Sequence, residues 1–293
     1  MRIAGRGTSF AVIAGVYAAA LGAAIVAGLA VGTQRPLLTV AVADLAATAV
    51  VFAGSRAADN TSMYDPYWSV VPPVIAVFYL AVADPGVPVA RQVLVVVLVW
   101  AWAIRLTANW ARAFRGLRHE DWRYAMARDN GRPYWPQSLV GFHLVPTVQV
   151  YLGCLALWPA IGSGERPLGP LDVAATVVTA GAVALELVAD EQLRAFSRAA
   201  SPGDTCTVGL WSRCRHPNYL GELSFWWGLW LFALAADPGW WWTVVGPVAL
   251  TAMFLFASIP MMDRRSAERR PGWGDYARQV PALVPRPGRR APR

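Results

Sequence analysis

Charge is scarce in this sequence. Only 15% of its 293 residues are Asp, Glu, Lys or Arg, 56% are apolar, and all 26 basic residues are arginine, so lysine is absent. So little charge excludes a single soluble core, which could not hide that much apolar surface, and makes a bilayer the expected solvent. Cysteine is scarce too. Of the three, Cys154 falls in an apolar run, while Cys206 and Cys214 fall in a polar loop expected to face the reducing cytoplasm, so no disulfide is expected. The spacing of Cys206, Cys214 and His216 matches no common zinc pattern, and no metal site is expected. No internal repeat is present and no linker separates a second domain, so residues 1–280 read as one transmembrane domain. The stretch 281–293, with four prolines and four arginines, reads as a disordered basic tail able to touch anionic lipid.

What the sequence does have is long apolar runs. They cover Phe10–Val31, Leu37–Ala53, Ser69–Val82, Val89–Ile104, Leu139–Ile161, Leu171–Ala189, Leu220–Ala236 and Trp240–Met262. Most approach the roughly 20 residues a helix needs to cross hydrocarbon. The expected fold class is therefore all-α, a polytopic transmembrane bundle of about eight spans, with seven as the fallback count. The short third and fourth runs are parted by the breaker Asp84-Pro85-Gly86. The first run is too long for the roughly 7–15 apolar residues of a secretory signal, so it is expected to stay as a helix.

Arginine placement orients the bundle, because basic loops stay on the cytoplasmic side. With eight spans and both termini cytoplasmic, Arg35, Arg91 and Arg166 fall outside and every other arginine inside. The expected location is a bacterial inner or plasma membrane with the site facing the cytoplasm. Topology thus accounts for a pI near 9.9, and nucleic acid is not an expected partner. Membrane lipids are, and no obligate protein partner is evident.

Ionisable groups in or beside spans are costly and mark candidate sites. Glu186, Asp190 and Arg194 recur at i, i+4, i+8, one stripe of a helix leaving the membrane. Arg105, Asn109 and Arg112 form a second stripe, read by itself as an interfacial anchor. The strongest local signal is Leu210 to Glu222, LWSRCRHPNYLGE. Pro217 suits the first turn of a helix, which sets the free N–H groups and positive dipole end beside Arg213, Arg215 and His216. That cluster reads as an anion site with phosphate as its natural occupant. One turn in, Asn218 and Glu222 share a face and can hold hydroxyl or amide groups of the same ligand.

Four blocks carry a family resemblance: Ser62 to Ser69 (SMYDPYWS), Glu120 to Tyr124 (EDWRY), Ala189 to Gln192 (ADEQ) and Arg215 to Glu222 (RHPNYLGE). In these the chain resembles the membrane-bound steroid 5α-reductase superfamily over roughly residues 60 to 280. The likeness is greatest to bacterial members classed as a domain of unknown function (DUF1295), and it extends to the sterol C14- and C7-reductases. The resemblance implies an NADPH-dependent reductase of a carbon–carbon double bond conjugated to a carbonyl, acting on a steroid-like or other lipid substrate. It implies a nucleotide pocket held by Asp190, Arg194, Arg198, Arg213, Arg215, His216, Asn218, Tyr219 and Glu222, with Arg112, Arg123 and Tyr124 as further candidates. The substrate-contacting acid is a glutamate in steroid reductases. Its match here is Asp65, seven residues before Pro72, and Trp102 stands where those enzymes have an assisting tyrosine.

The implied chemistry sets the catalytic candidates. Hydride delivery to the β carbon of an enone builds negative charge on the carbonyl oxygen, which a protonated acid or phenol must stabilise. Asp65 and the adjacent Tyr64 are the candidates, and a carboxyl flanked by Tyr64, Tyr67 and Trp68 is expected to hold its proton more tightly than usual. Asp65 before Pro66 can equally be read as an ordinary helix cap. The alternative function is an S-adenosylmethionine-dependent membrane methyltransferase of the isoprenylcysteine or phospholipid type, which shares only the Arg215–Tyr219 segment.

Overall fold

The structure is a computed structural model and describes residues 5–285. Arg2 and residues 286–293 of the expected basic tail lie outside the described residues. The described chain is helical throughout. Its helices are α1 (Arg6–Val31), α2 (Pro36–Ala57), α3 (Tyr67–Ala81), α4 (Val89–Ala113), α5 (Trp122–Arg128), α6 (Tyr134–Gln137) and α7 (Val145–Cys154). They continue as α8 (Pro170–Ala199), α9 (Pro217–Ala236), α10 (Val245–Met253), α11 (Ile259–Arg269) and α12 (Trp273–Gln279). Proline opens α2, α8 and α9, where its missing N–H would have had no helical partner.

Two long helical runs, Tyr134–Ser163 and Pro238–Arg269, pass through π-helical turns without ending. The turn Ser138–Leu144 precedes Pro146, and the turn Phe254–Ser258 precedes Pro260. Each contains the residue four before the proline, Phe142 or Phe256, whose carbonyl the ring would meet in a regular α-helix; the wider π geometry relieves that clash.

Six helices are long and apolar enough to cross a membrane: Arg6–Val31, Pro36–Ala57, Val89–Ala113, Tyr134–Ser163, Pro170–Ala199 and Pro238–Arg269. Large apolar side chains point outward from them, Leu29 at 75% and Phe256 at 81% exposure, as a protein solvated by lipid requires. These helices mark the chain as a membrane protein. Six of the eight expected runs meet that standard of length and composition, and α3 and α9 fall short of it. Helix α3 has only 15 residues, and α9, though 20 residues long, dilutes its hydropathy with Trp226, Trp227, Trp230 and Glu222. Much of α9 is buried: Phe225, Trp226, Leu229 and Phe232 sit in the main core with Trp102 of α4 and Leu250 of α10. The loops are also shorter than the apolar runs imply, since α4 continues to Ala113 and α8 to Ala199.

Helices α8 and α9 make the most extensive pairing in the molecule. Gly221 and Gly228 permit it, because a Cβ at either would strike Glu186 or Thr179 of α8. That close approach lays Glu222 beside the polar stripe of α8. A second brace ties the opposite ends of α4 and α8. Arg91, fully buried, donates from Nε to Asp172 Oδ1 at 2.7 Å and from Nη2 to Asp172 Oδ2 at 3.1 Å, and from Nη1 to the Arg166 carbonyl at 2.9 Å.

Candidate functional site

The two polar stripes face each other across α4 and α8. Arg105 donates to Asp190 at 3.0 Å and to Glu186, Asn109 donates to Asp190 at 3.1 Å, and Arg194 donates to the Asn109 side-chain oxygen. Arg112 pairs with Glu191 at 3.0 Å near the surface. The stripe Arg105, Asn109 and Arg112 is therefore an interhelical partner, which corrects its reading as a lone interfacial anchor. From α9, Glu222 Oε2 lies 3.7 Å from Arg105 Nη2. Its two oxygens accept from the indole N–H groups of Trp102 at 3.1 Å and Trp226 at 2.9 Å. Three carboxylates thus gather round one guanidinium, and Arg105 Nε and Glu186 Oε1 remain buried with no protein partner. Beyond this cluster opens a cavity of about 750 Å³ lined by Asn109, Arg112, Asp190, Arg194 and Arg198.

On the other side of α4's end lies a second cavity, of about 690 Å³, holding Asp65, Trp68, Trp110, Arg123, Tyr124 and Arg265. Its floor is set by a 3-10 turn, Thr61–Tyr64, capped by Asn60 through its side-chain oxygen and the Ser62 N–H at 2.8 Å. Ser62 Oγ in turn accepts from the Asp121 N–H at 2.9 Å, and Glu120 accepts from the Thr61 N–H at 2.7 Å. The first two resemblance blocks therefore pack together. Tyr124 donates to Asp65 Oδ1 at 2.6 Å, and Arg123 approaches the same oxygen at 3.6 Å. Burial outweighs both partners and pushes the Asp65 carboxyl up to about 6, while burial and the Asp65 charge push the Tyr124 phenol well above its ordinary range. Asp65 accepts no backbone N–H of α3 among the described contacts, so its bond to Tyr124, not capping, holds it.

Tyr64 does not join this cavity. Its side chain turns to the opposite side, stacks on Tyr67 and hydrogen-bonds Thr147 Oγ1 at 2.7 Å. Sequence adjacency to Asp65 had suggested a shared role, but consecutive residues of a tight turn diverge. The phenol beside Asp65 is Tyr124, fifty-nine residues away.

The start of α9 is not an open anion site. Arg215 donates to the carbonyls of Ala277 and Val280 at 3.0 and 2.7 Å and pairs with Asp263 at 2.7 Å; the His216 ring meets Asp263 Oδ1 at 2.9 Å. The backbone N–H groups of Arg215 and His216 are taken by the Pro281 and Ala282 carbonyls. The chain's own segment occupies the place expected for phosphate, which corrects the assignment of Arg215 and His216 and shows residues 281–283 packed rather than free. Arg213 is exposed, Tyr219 stacks on His216, and Asn218 accepts from the Tyr219 N–H at 3.1 Å. Of the expected nucleotide residues, Arg112, Asp190, Arg194 and Arg198 share one cavity, Arg123 and Tyr124 the other, and Glu222 reaches the cluster between α4 and α8.

Two features escaped the sequence reading. Trp102 and Trp226 are hydrogen-bond donors to Glu222, the first invisible until α4 and α9 are paired and the second one turn on along α9 itself. Asp44 is a buried carboxyl within α2, and its signal was plain: an acid inside the apolar run Leu37–Ala53.

The chain matches the family described as a protein of unknown function (DUF1295) over residues 51–280 and belongs to it. It is also similar to an uncharacterized protein of Schizosaccharomyces pombe, 26% identical over 255 residues that cover 78% of this chain and 73% of that protein. No solved structure matches.

Proposed function

Starting from membership in the DUF1295 family, we propose that this protein is a membrane-embedded, NADPH-dependent reductase of an enone-type double bond in a lipid-like substrate, related to the steroid 5α-reductases. One observation carries the reading. An acid and a phenol, Asp65 and Tyr124, are hydrogen-bonded at 2.6 Å on the wall of a cavity beside an arginine-lined one. The residues fit the nucleotide in charge. Arg112, Arg194 and Arg198 line one cavity and Arg115, Arg123 and Arg265 the other, so phosphates would find charge-assisted donors on both sides of α4's end. Asn109 and Asp190, which line the first cavity, suit the amide or hydroxyl groups of such a ligand.

When bound, NADPH supplies hydride to the β carbon. The chain's residues handle the proton. Tyr124 donates to Asp65 Oδ1 and leaves Oδ2 to carry a proton toward the substrate carbonyl, where negative charge develops. The carbonyl oxygen takes that proton to give an enol, whose α carbon then takes a proton from solvent in the open cavity while the O–H proton returns to Asp65, so the product gains one hydride and one proton across the former double bond and the acid is restored. Trp68 and Trp110 wall the cavity and offer apolar surface to a lipid-like substrate.

The same reading places eight crossings in a bacterial plasma membrane, α3 and α9 included, with the arginine-rich cavities facing the cytoplasm. Reporters fused after Arg293 and between Phe114 and Asp121 should both register as cytoplasmic; an external signal from either overturns the orientation.

The function is tested by ligand stabilisation. Saturation with NADPH at about 100 times its Kd should stabilise the purified protein by about 2.7 kcal/mol, read as a rise in melting temperature, and S-adenosylmethionine should have no effect. The opposite pattern would replace the reductase by a membrane methyltransferase.

A further inference from the structure

A third concavity lies within the spanning helices, on the far side of Tyr67 from the Asp65 cavity. It is a groove of about 270 Å³ between α1, α2 and α3, walled by residues such as Ala24, Gly28, Ala43, Val71 and Phe78. Asp44 and Tyr67 line it too. Asp44 is the ninth residue of α2, about 12 Å along the axis from its start, so it sits deep in the span. A carboxyl at that depth is costly, which marks it as a candidate functional group.

Its hydrogen bonding is half complete. Asp44 is 5% exposed, and Tyr67 donates to Oδ1 at 2.6 Å, but Oδ2 is buried without a partner. The protein has no donor left to give. Thr48 donates its hydroxyl proton to Tyr67 at 3.2 Å, so Thr147, 2.7 Å away, must donate to Thr48, and Tyr64, at 2.7 Å, must donate to Thr147. Four hydroxyl groups thus run in one direction, from Tyr64 to Asp44, and every proton in the string is used. The string fixes Tyr67 and the carboxyl plane while Oδ2 is left without a partner at the floor of an apolar groove.

We infer that this groove binds a neutral, membrane-dissolved alcohol whose hydroxyl hydrogen-bonds Asp44 Oδ2 and whose hydrocarbon body lies between α1 and α3. A hydroxyl can donate to Oδ2 of the carboxylate or accept from it in the acid, so it meets this one free atom in either form. An ammonium brings three donors and would leave two unmet in walls that are otherwise apolar. Ordinary phospholipids keep their polar groups at the interface and cannot present a donor at this depth, whereas an isoprenoid or sterol-like alcohol can. The site is separate from the proposed reaction, since Asp65 faces the other cavity and neither Asp44 nor Tyr67 lines it.

The test is photolabelling of the full-length protein in lipid nanodiscs with a diazirine-bearing farnesol, competed by farnesol or by the hydrocarbon farnesene. The label should map to α1–α3, and farnesol should compete at a concentration at least ten-fold lower than farnesene. Asp44→Leu should abolish that preference, and Ala24→Phe, at the groove's lipid-facing wall, should abolish labelling of these helices. Equal competition by alcohol and hydrocarbon in the unaltered protein, label outside the groove, or a preference that survives Asp44→Leu would each overturn the inference. Should Asp44→Leu fail to insert, the unaltered protein and Ala24→Phe still decide it.

Discussion

Asp65→Asn is expected to lower the rate at saturating nucleotide and substrate by about 10²–10⁴-fold, the span usual for a positioned general acid, with nucleotide affinity nearly unchanged. The amide keeps the shape and one acceptor for Tyr124 but has no acidic proton to pass on. In the unaltered protein, the carboxyl pushed up to about 6 should impose its own pH limb. The sign follows from which form works: the protonated acid donates, so the saturated rate should fall about tenfold per pH unit above 6 and level off below it. Tyr124→Phe removes a hydrogen bond that favours the ionised carboxylate, so it should move this limb to higher pH. Steady-state kinetics with a simple enone, measured across pH for the three proteins, checks the set. A limb unchanged in Asp65→Asn would assign the proton to another group.

The second large effect concerns stability. Arg91→Ala should destabilise the protein by about 3–5 kcal/mol, because it strands the Asp172 carboxylate in a buried place built for a guanidinium. Replacing both partners with leucine should recover most of that loss, since a buried pair gains little over well-packed apolar groups. Thermal melts of the single and double variants in one detergent test this. Equal losses in both would mean that the carbonyl contacts of Arg91 to Arg166 and Pro167, and not the ion pair, hold the ends of α4 and α8 together.

How far the sequence could be read varies with the range of the physics involved. Hydropathy is local, so the apolar runs locate every long span, and Pro217 marks where α9 begins. The polar stripes were visible by spacing alone: Glu186, Asp190 and Arg194 at one helix face, Arg105, Asn109 and Arg112 at another. Their pairing was not, because no periodicity says which helices touch. Arg215 shows the limit sharply. A basic residue before a helix N-terminus looks the same whether its partner is a phosphate or carbonyls supplied by Ala277 and Val280, more than sixty residues on. The Asp65–Tyr124 pair was half legible, since both residues stood in recognised blocks and only the folded turn at Thr61–Tyr64 decided which tyrosine came to the acid. Helix α9 was located by its apolar run, but nothing in that run told that Trp226 both fills the core and holds Glu222.

The segment that closes over α9 also orders events during synthesis. Helix α9 leaves the ribosome well before Ala277 to Ala282, so for the time needed to translate those residues the amides of Arg215 and His216, and the Arg215 guanidinium, must borrow water or lipid headgroups as partners. Asp263 arrives first and can neutralise Arg215, but the carbonyls come only with the last turn of α12 and the residues after it. The end of α9 is therefore a late-maturing joint, and a nascent chain arrested before Val280 should remain open to protease there while its earlier spans are already protected.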